Sequence, residues 1–179
     1  MIQVSEVSKI APGEFKTVLQ ERVYAVLGEL GIPFERVDTD EAVTMEDCVQ
    51  INRRLDMKMV KTLFLCNRRK TEFFLFVTPG DKPFKSREFS EALRVSRVSF
   101  APAELMDSML GTRIGAATIF SALLETSERV GFVFDKDVAR EGWYGCSDGT
   151  TTGYMKVKTA HIIDVFMPRT GRALTIADI

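Results

Sequence analysis

The sequence predicts an α/β fold (α+β-like) in a single domain, with a central mixed β-sheet and surrounding helices. The chain has 179 residues, of which 45% are apolar, and this suits one domain with a substantial core. Helix-like and strand-like patterns alternate along it, and two apolar runs at 60–66 and 72–77 flank a polar turn at 67–71. This pattern predicts a β-hairpin, and a hairpin among alternating elements requires a mixed sheet.

The composition excludes several classes of protein. The formal net charge of −1 provides no overall basic field, so any contact with nucleic acid must be a local patch. Three cysteines stand singly and there is one histidine, which argues against a disulfide framework or a structural zinc site. The first residues lack an apolar signal core, and no apolar run is long enough to span a bilayer. We therefore expect a soluble, cytoplasmic protein that binds no metal.

The first third of the chain is expected to contain an arm, two helices and a strand. Residues 1–13 form the arm, which ends in a Pro-Gly pair. Apolar residues recur at steps of three and four over 14–30, which predicts an amphipathic helix. A short strand follows at 34–38. Thr44 precedes two acidic residues, so it is expected to be the N-cap of a second helix over 44–55.

The hairpin supplies the first candidate functional residue. In its first strand Phe64 and Cys66 fall on one face and Leu63 and Leu65 on the other, so this strand is expected to be covered on both sides. Lys61 stands where the strand begins, on the face of the two leucines. Such a lysine either extends its ammonium to water or faces an anionic ligand.

The remainder of the chain is expected to form short elements after an ordered loop at 78–84, which contains two prolines and a glycine. We expect helices at 86–93, 102–110, 116–124 and 159–167, and strands at 97–100, 130–134 and 155–158. Lys156 and Lys158 alternate with apolar residues, so the last strand is expected to be half-exposed. Pro168 should stop the last helix and leave a loose tail at 168–179.

Two polar loops and a basic group are further candidates for a site. Gly111 and Gly115 bracket a turn whose N–H groups could bind a carbonyl oxygen or an anion, although such turns also serve as simple connections. Residues 145–153 bring hydroxyls and one carboxylate into a loop, which is either a solvated turn or part of a site. The basic residues of 82–97 suit contact with phosphates or simple solubility.

A covalent mechanism has little support from the sequence. His161 is expected within a helix as a structural residue, and Cys66 within a strand as inert core. Cys146 is expected in a loop, where it could react, but no histidine lies near it in the sequence. No catalytic triad can therefore be assembled.

The order of several segments resembles one known family. These segments are TMEDC at 44–48, VKTLFLCNRRKT at 60–71, PGDKPF at 79–84, VSRVSFA at 95–101, a glycine loop at 110–118 and YGC followed by KVKT within 144–159. Over 21–166 the chain resembles the YbaK/ProX superfamily of aminoacyl-tRNA deacylases, and most closely the prolyl-tRNA editing proteins of the PrdX type. The resemblance implies an editing domain at 14–167.

The resemblance also implies an activity and a set of site residues. The activity is hydrolysis of the ester in a mischarged tRNA, of the Ala-tRNA(Pro) type, by a water molecule without a protein nucleophile, a metal or a cofactor. Lys61 falls on the lysine that approaches the terminal adenosine and the substrate. The residues implied to bind substrate are Thr44, Thr62, Gly111, Gly115, Ala116, Thr118, Ser147, Asp148, Thr151 and Thr152. Those expected to bind the tRNA are Lys82, Lys85 and Arg87.

Three departures from the family pattern lie in this implied site. The family commonly has His-Pro where this chain has Ser147 and Asp148, and Asn-Thr where it has Thr151 and Thr152. Many relatives have proline where this chain has Ile119. The chain could therefore prefer a different amino acid or hydrolyse it more slowly. Alternatively, it could be a non-catalytic protein that binds or senses charged tRNA.

Overall fold

The computed structural model describes residues 1–42 and 44–179. The strands, in chain order, are β1 Glu35–Asp38, β2 Val60–Asn67, β3 Phe73–Pro79, β4 Val98–Phe100, β5 Val130–Asp135, β6 Trp143–Ser147, β7 Gly153–Lys158 and β8 Leu174–Ala177. The helices are α1 Val18–Glu29, α2 Met45–Leu55, α3 Ser86–Leu93, α4 Ala103–Leu110 and the short α5 Lys136–Ala139. Two 3₁₀ turns, Ile119–Leu123 and Glu125–Ser127, lie between α4 and β5.

Five strands form a mixed sheet in the order β4-β2-β3-β5-β8. The predicted hairpin β2–β3 is antiparallel, whereas β3–β5 and β5–β8 are parallel pairs. Phe64 and Cys66 enter the main core on one face, and Leu65 packs with Phe76 and Phe89 on the other. The mixed sheet and the two-sided cover of β2 are therefore confirmed.

A second sheet was not foreseen from the sequence. Strands β1, β7 and β6 form an antiparallel sheet in the order β1-β7-β6. A parallel bridge between Met59 and Gly145 joins it to the beginning of β2. The arm of residues 1–13 lies along β1, where Ser8 and Arg36 exchange backbone hydrogen bonds of 2.9 and 2.8 Å. This junction brings β2 and β6 close together, although they are distant in sequence.

Several local predictions were wrong because distant partners override the local pattern. The predicted helix over 116–124 begins only at Ile119, since the Thr118 hydroxyl donates to the Ser147 carbonyl (2.8 Å) and holds Thr118 extended. Lys156 is only 8% exposed rather than half-exposed, because its ammonium lies 4.5 Å from the Trp143 ring centroid. Cys146 lies buried in β6 rather than in a reactive loop.

The C-terminal residues also differ from the expectation. The predicted helix runs beyond Pro168, as a turn over Thr159–His161, a π-helical turn over Ile162–Phe166 and a last turn over Met167–Thr170. Pro168 is tolerated because it stands in the first turn of a new helical segment, where a missing N–H costs little. The expected loose tail contains β8, which pairs with β5. Without β8, the strand β5 would lie at the edge of the sheet with unpaired backbone groups.

Candidate functional site

A cavity of about 360 Å³ lies where the two sheets meet. Its walls come from the beginning of α2, the beginning of β2, the end of β4, helix α4, the 114–117 turn and the facing strands β6 and β7. The lining is mostly apolar, with Ala42, Met45, Met59, Phe100, Met106 and Ile114 among its members. A mostly apolar cavity with a few polar groups is the usual form of a small-ligand site.

The cavity brings together five of the predicted site residues, namely Lys61, Thr44, Thr62, Gly115 and Ser147. The other members of the two polar loops lie behind its wall or beside it: Gly111, Ala116, Thr118, Asp148, Thr151 and Thr152. The three predicted tRNA-binding residues, Lys82, Lys85 and Arg87, lie outside its lining.

Lys61 is the basic side chain of the cavity. It is half-buried, stands second in β2 and is paired with Thr78 of β3. Its ammonium donates a hydrogen bond to the Lys82 carbonyl oxygen at 2.5 Å. An ammonium has three donors, so this bond fixes the position of Lys61 while leaving donors for a ligand.

The position of Thr44 follows from its role as the predicted N-cap of α2. Its hydroxyl accepts from the Asp47 N–H at 3.2 Å, and the Asp47 carboxylate accepts from the Thr44 N–H at 3.1 Å, which is a capping box. One turn later Cys48 also lines the cavity. Burial, and secondarily Asp47, raises the pKa of the Cys48 thiol, so the protonated form is favoured.

The glycine turn contributes backbone to the cavity. Gly111 ends α4 with φ +64°, and Gly115 has φ +88°, a conformation that glycine adopts without strain. The Ala116 N–H is engaged, since it donates to the Arg113 carbonyl at 3.0 Å. Within residues 1–42 and 44–179, no group accepts a hydrogen bond from the N–H of Gly115 or Ala117, and both residues line the cavity.

The turn at 147–152 is held by its own hydrogen bonds. The Ser147 hydroxyl donates to the Thr150 carbonyl at 2.6 Å and accepts from the Gly149 N–H at 3.0 Å. Asp148 is fully buried, and its carboxylate accepts from Gln20 at 2.9 Å, Tyr24 at 2.8 Å and the Thr150 hydroxyl at 2.8 Å. Asp148 therefore ties the turn to α1. Burial, reinforced by Asp148, raises the pKa of Tyr24.

Thr151 and Thr152, two of the three threonines of this turn, make contacts outside the cavity. The Thr151 hydroxyl accepts from the Arg113 guanidinium at 3.0 Å, and Arg113 is also paired with Glu41 at 2.5 Å. The Thr152 hydroxyl accepts from the Lys16 ammonium at 2.6 Å. Both side chains thus contribute to a polar surface beside the cavity, together with Gly111.

Lys82 is part of a network at the carboxyl end of β5. Its ammonium lies 2.9 Å from both Asp135 and Asp137, and it also donates to the Ile179 carbonyl. Burial disfavours the charged ammonium, but the hydrogen bonds to Asp135 and Asp137 outweigh this and raise the pKa of Lys82. Lys85 and Arg87 are exposed and pair with Glu88 and Glu91 on α3.

Sequence reasoning missed most of the apolar lining. Met45 and Cys48 lie in the 44–48 segment, and Phe100 in the 95–101 segment, so the segments that carry the resemblance pointed to them indirectly. Tyr154 had no such signal. Its hydroxyl is shared between the Ala42 and Thr151 carbonyls at 2.9 and 3.2 Å, so it links β7 to the segment before α2 and to the 147–152 turn.

Two classes of feature were not found in the part of the chain that the structure describes. It holds no group of three or more His, Cys, Asp or Glu residues arranged to hold a metal ion. None of its helices has the length and apolar character needed to cross a membrane.

Comparison with known proteins agrees with the predicted resemblance. The prolyl-tRNA editing protein ProX of Acetoanaerobium sticklandii is 26% identical over 119 residues, which cover 66% of this chain and 73% of that protein. The solved structure of hypothetical protein APE2540 has a TM-score of 0.67 at 15% identity, covering 87% of this chain and 98% of that one. A candidate trans-editing enzyme for prolyl tRNA synthetase has a TM-score of 0.64 at 14% identity, covering 92% and 99%.

The two similar structures show that the fold is shared. Membership of a family is shown by a match to a family model. The model of the aminoacyl-tRNA editing domain matches residues 39–165, which include all of the cavity lining. This chain therefore belongs to the aminoacyl-tRNA editing domain family.

Proposed function

We propose that this protein is a trans-editing deacylase that hydrolyses the ester of a mischarged tRNA, of the Ala-tRNA(Pro) type, in the cytoplasm. The observation that carries the proposal is the cavity of about 360 Å³ in which Lys61 and the Gly115 turn face an apolar lining. Such a volume accepts a small aminoacyl group. One methylene changes binding in a hydrophobic pocket by only about 1–3 kcal/mol, so size selection of this kind suits a second sieve after a synthetase.

In the proposed reaction a water molecule attacks the acyl carbonyl carbon. The bond between that carbon and the ribose oxygen breaks, the ribose oxygen takes a proton, and free amino acid and tRNA leave. Lys61 orients the terminal nucleotide, and the N–H groups of Gly115 and Ala117 polarise the carbonyl oxygen. Positioning and backbone polarisation of this kind need no protein nucleophile. Thr44 and Thr62 are proposed to contact the substrate, and Lys85 and Arg87 to contact the tRNA.

A second candidate function is binding or sensing of charged tRNA without hydrolysis. Two observations favour it. The Ser147 hydroxyl is engaged within its own turn, and Asp148 is buried away from the cavity, so neither takes the place of the family histidine as a donor to substrate. Such a protein would bind charged tRNA with an affinity that weakens as salt rises, and would leave the ester intact.

The experiment that separates the two is release of amino acid from purified Ala-, Pro-, Ser- and Cys-tRNA(Pro). The natural protein is compared with Lys61→Ala and, as the matched control, with Lys9→Ala on the exposed arm. The deacylase proposal expects hydrolysis of one mischarged species that falls at least about tenfold in Lys61→Ala and persists in Lys9→Ala. Retained tRNA binding with no hydrolysis of any species would replace it with the second candidate.

A further inference from the structure

A second cavity, of about 530 Å³, adjoins the first. The two share Met45, Met59 and Val60 as lining residues, so they lie on either side of one wall. Gly80 packs closely against this wall, since a Cβ atom there would lie 2.6 Å from the Met59 carbonyl oxygen and 2.8 Å from the end of the Met45 side chain. A ligand in the first cavity therefore has a second compartment beside it.

Trp143 gives the second cavity its chemical character. It lines this cavity, is the single tryptophan of the chain and is 47% exposed. The Lys156 ammonium lies 4.5 Å from its ring centroid and fixes the indole by a cation–π contact. A large, exposed and fixed aromatic ring in a cavity is suited to stacking on a planar ring, since every nucleobase offers a π face.

The polar groups of the second cavity favour a base over a phosphate. Three carboxylates, Asp81, Asp137 and Glu141, line it together with Lys58, which lies 3.6 Å from Glu141. Lys82 pairs with Asp137 at 2.9 Å but shares its charge with Asp135, so the carboxylates remain in excess. This excess of negative charge repels phosphate. The carboxylate oxygens can accept hydrogen bonds from an exocyclic amino group such as that of adenine. Asn52 also lines this cavity, and its amide oxygen accepts from the Met59 N–H, which leaves the two donors of the amide nitrogen outside that bond.

We propose that the second cavity binds the base of the terminal adenosine, with the base stacked on Trp143 and its amino group donating to a carboxylate. The inference rests on the proposed function, in which the aminoacyl group attached to that nucleoside occupies the first cavity. It adds a base-binding residue, Trp143, which none of the family segments pointed to.

The test uses adenosine itself as the probe and needs no hydrolysis. Because Trp143 is the single tryptophan, its fluorescence reports directly on the cavity. We expect saturable quenching by adenosine in the natural protein at concentrations up to about 10 mM. Equilibrium dialysis with labelled adenosine should show affinity about 5- to 100-fold weaker in Trp143→Leu and within a few-fold of natural in Trp143→Phe, which keeps a stacking ring. Phe15→Leu, an exposed aromatic outside both cavities, is the matched control.

The outcomes separate this inference from the proposed function. Absence of quenching, or equal adenosine affinity in the natural protein and Trp143→Leu, would overturn the base site whatever the deacylation assay gives. Weakened binding in Trp143→Leu, with Trp143→Phe and Phe15→Leu unaffected, would support the base site even in a protein that hydrolyses no ester. Thermal melting of each variant identifies any that fails to fold, and if Trp143→Leu does, the quenching of Trp143 in the natural protein carries the test.

Discussion

The ammonium of Lys61 donates to the backbone carbonyl of Lys82 at 2.5 Å, so the proposed catalytic lysine is positioned by the residue that the sequence suggested for tRNA binding. The Lys82 side chain is in turn bonded to Asp135 and Asp137, both at 2.9 Å. The loop after β3 is thereby held against the end of β5. We therefore expect Lys82 to hold the Lys61 ammonium in place through its backbone carbonyl. Its contact with tRNA remains a prediction.

Replacing Lys82 by alanine should destabilise the protein. Asp135 is 1% exposed and would lose its cation; among residues 1–42 and 44–179 its remaining donors are the Thr78 hydroxyl and the Asp137 N–H. We expect the free energy of unfolding in urea to fall by about 2–4 kcal/mol. The matched control is Lys85→Ala, which breaks an exposed pair with Glu88 and should cost less than about 1 kcal/mol. Equal urea midpoints for the two variants would contradict an anchoring role for Lys82.

Replacing Asp148 by alanine should be more damaging than its place in a polar loop suggests. The change leaves Gln20, Tyr24 and the Thr150 hydroxyl without their buried acceptor. At about 1–3 kcal/mol for each unsatisfied group, we expect the unfolding free energy to fall by at least about 3 kcal/mol. Thermal and urea unfolding measure this, with the exposed Asp164→Ala as control. A loss below about 1 kcal/mol would show that the turn does not depend on this carboxylate.

The same contacts predict the outcome of restoring the family's His-Pro at positions 147 and 148. Proline at 148 removes the carboxylate and also the N–H that donates to the Gly153 carbonyl at 3.0 Å. We expect the double variant to unfold at a lower temperature than Asp148→Ala. Greater stability, or a gain of hydrolysis in a well-folded variant, would contradict the structural role of Asp148.

The buried tyrosines predict loss of stability at high pH. Tyr24, Tyr144 and Tyr154 are buried, and burial is the largest cause that raises the pKa of each. The unfolded chain releases these protons near pH 10 while the folded chain retains them. The contribution of these tyrosines to stability is therefore complete below that pH and falls above it by about 1.4 kcal/mol per pH unit for each tyrosine.

Tyr144→Phe is the clean test of this pH dependence. The Tyr144 hydroxyl has no hydrogen-bond partner among the described residues, so its removal should change stability at pH 7 by less than about 1 kcal/mol. Urea unfolding between about pH 10 and 12 should show a slope that is smaller than in the natural protein by up to about 1.4 kcal/mol per pH unit. An unchanged slope would mean that Tyr144 does not stay protonated in the folded state.

Replacing Gly115 by alanine should reduce hydrolysis beyond its effect on stability. A side chain at φ +88° costs about 1–2 kcal/mol and displaces the turn that is proposed to hold the carbonyl. We expect hydrolysis to fall about 10- to 100-fold. Gly31→Ala is the matched control, because φ is +65° there and nothing lies within 4 Å of the new carbon. It should lose similar stability and keep its activity, and equal activity in both variants would remove Gly115 from the site.

The sequence by itself determined the elements whose signals are local. The hairpin β2–β3, Thr44 as the N-cap of α2, and the helix α3 were predicted from local sequence patterns, and the structure confirms them. Backbone dihedrals and side-chain alternation depend on immediate neighbours, which explains this success. The resemblance carried by the longer segments also led to the family and to Lys61 as a residue of the cavity.

Tertiary structure alone decided which polar residues face the cavity and which serve the fold. Ser147 and Asp148 are adjacent, yet one lines the cavity while the other is buried against Gln20, which is 128 positions away. The strand β8 likewise forms by pairing with β5, whose edge is otherwise open. Burial and hydrogen-bond partners depend on which distant segments meet. A local pattern cannot contain that information, because the same polar loop is stable either in water or around a buried carboxylate.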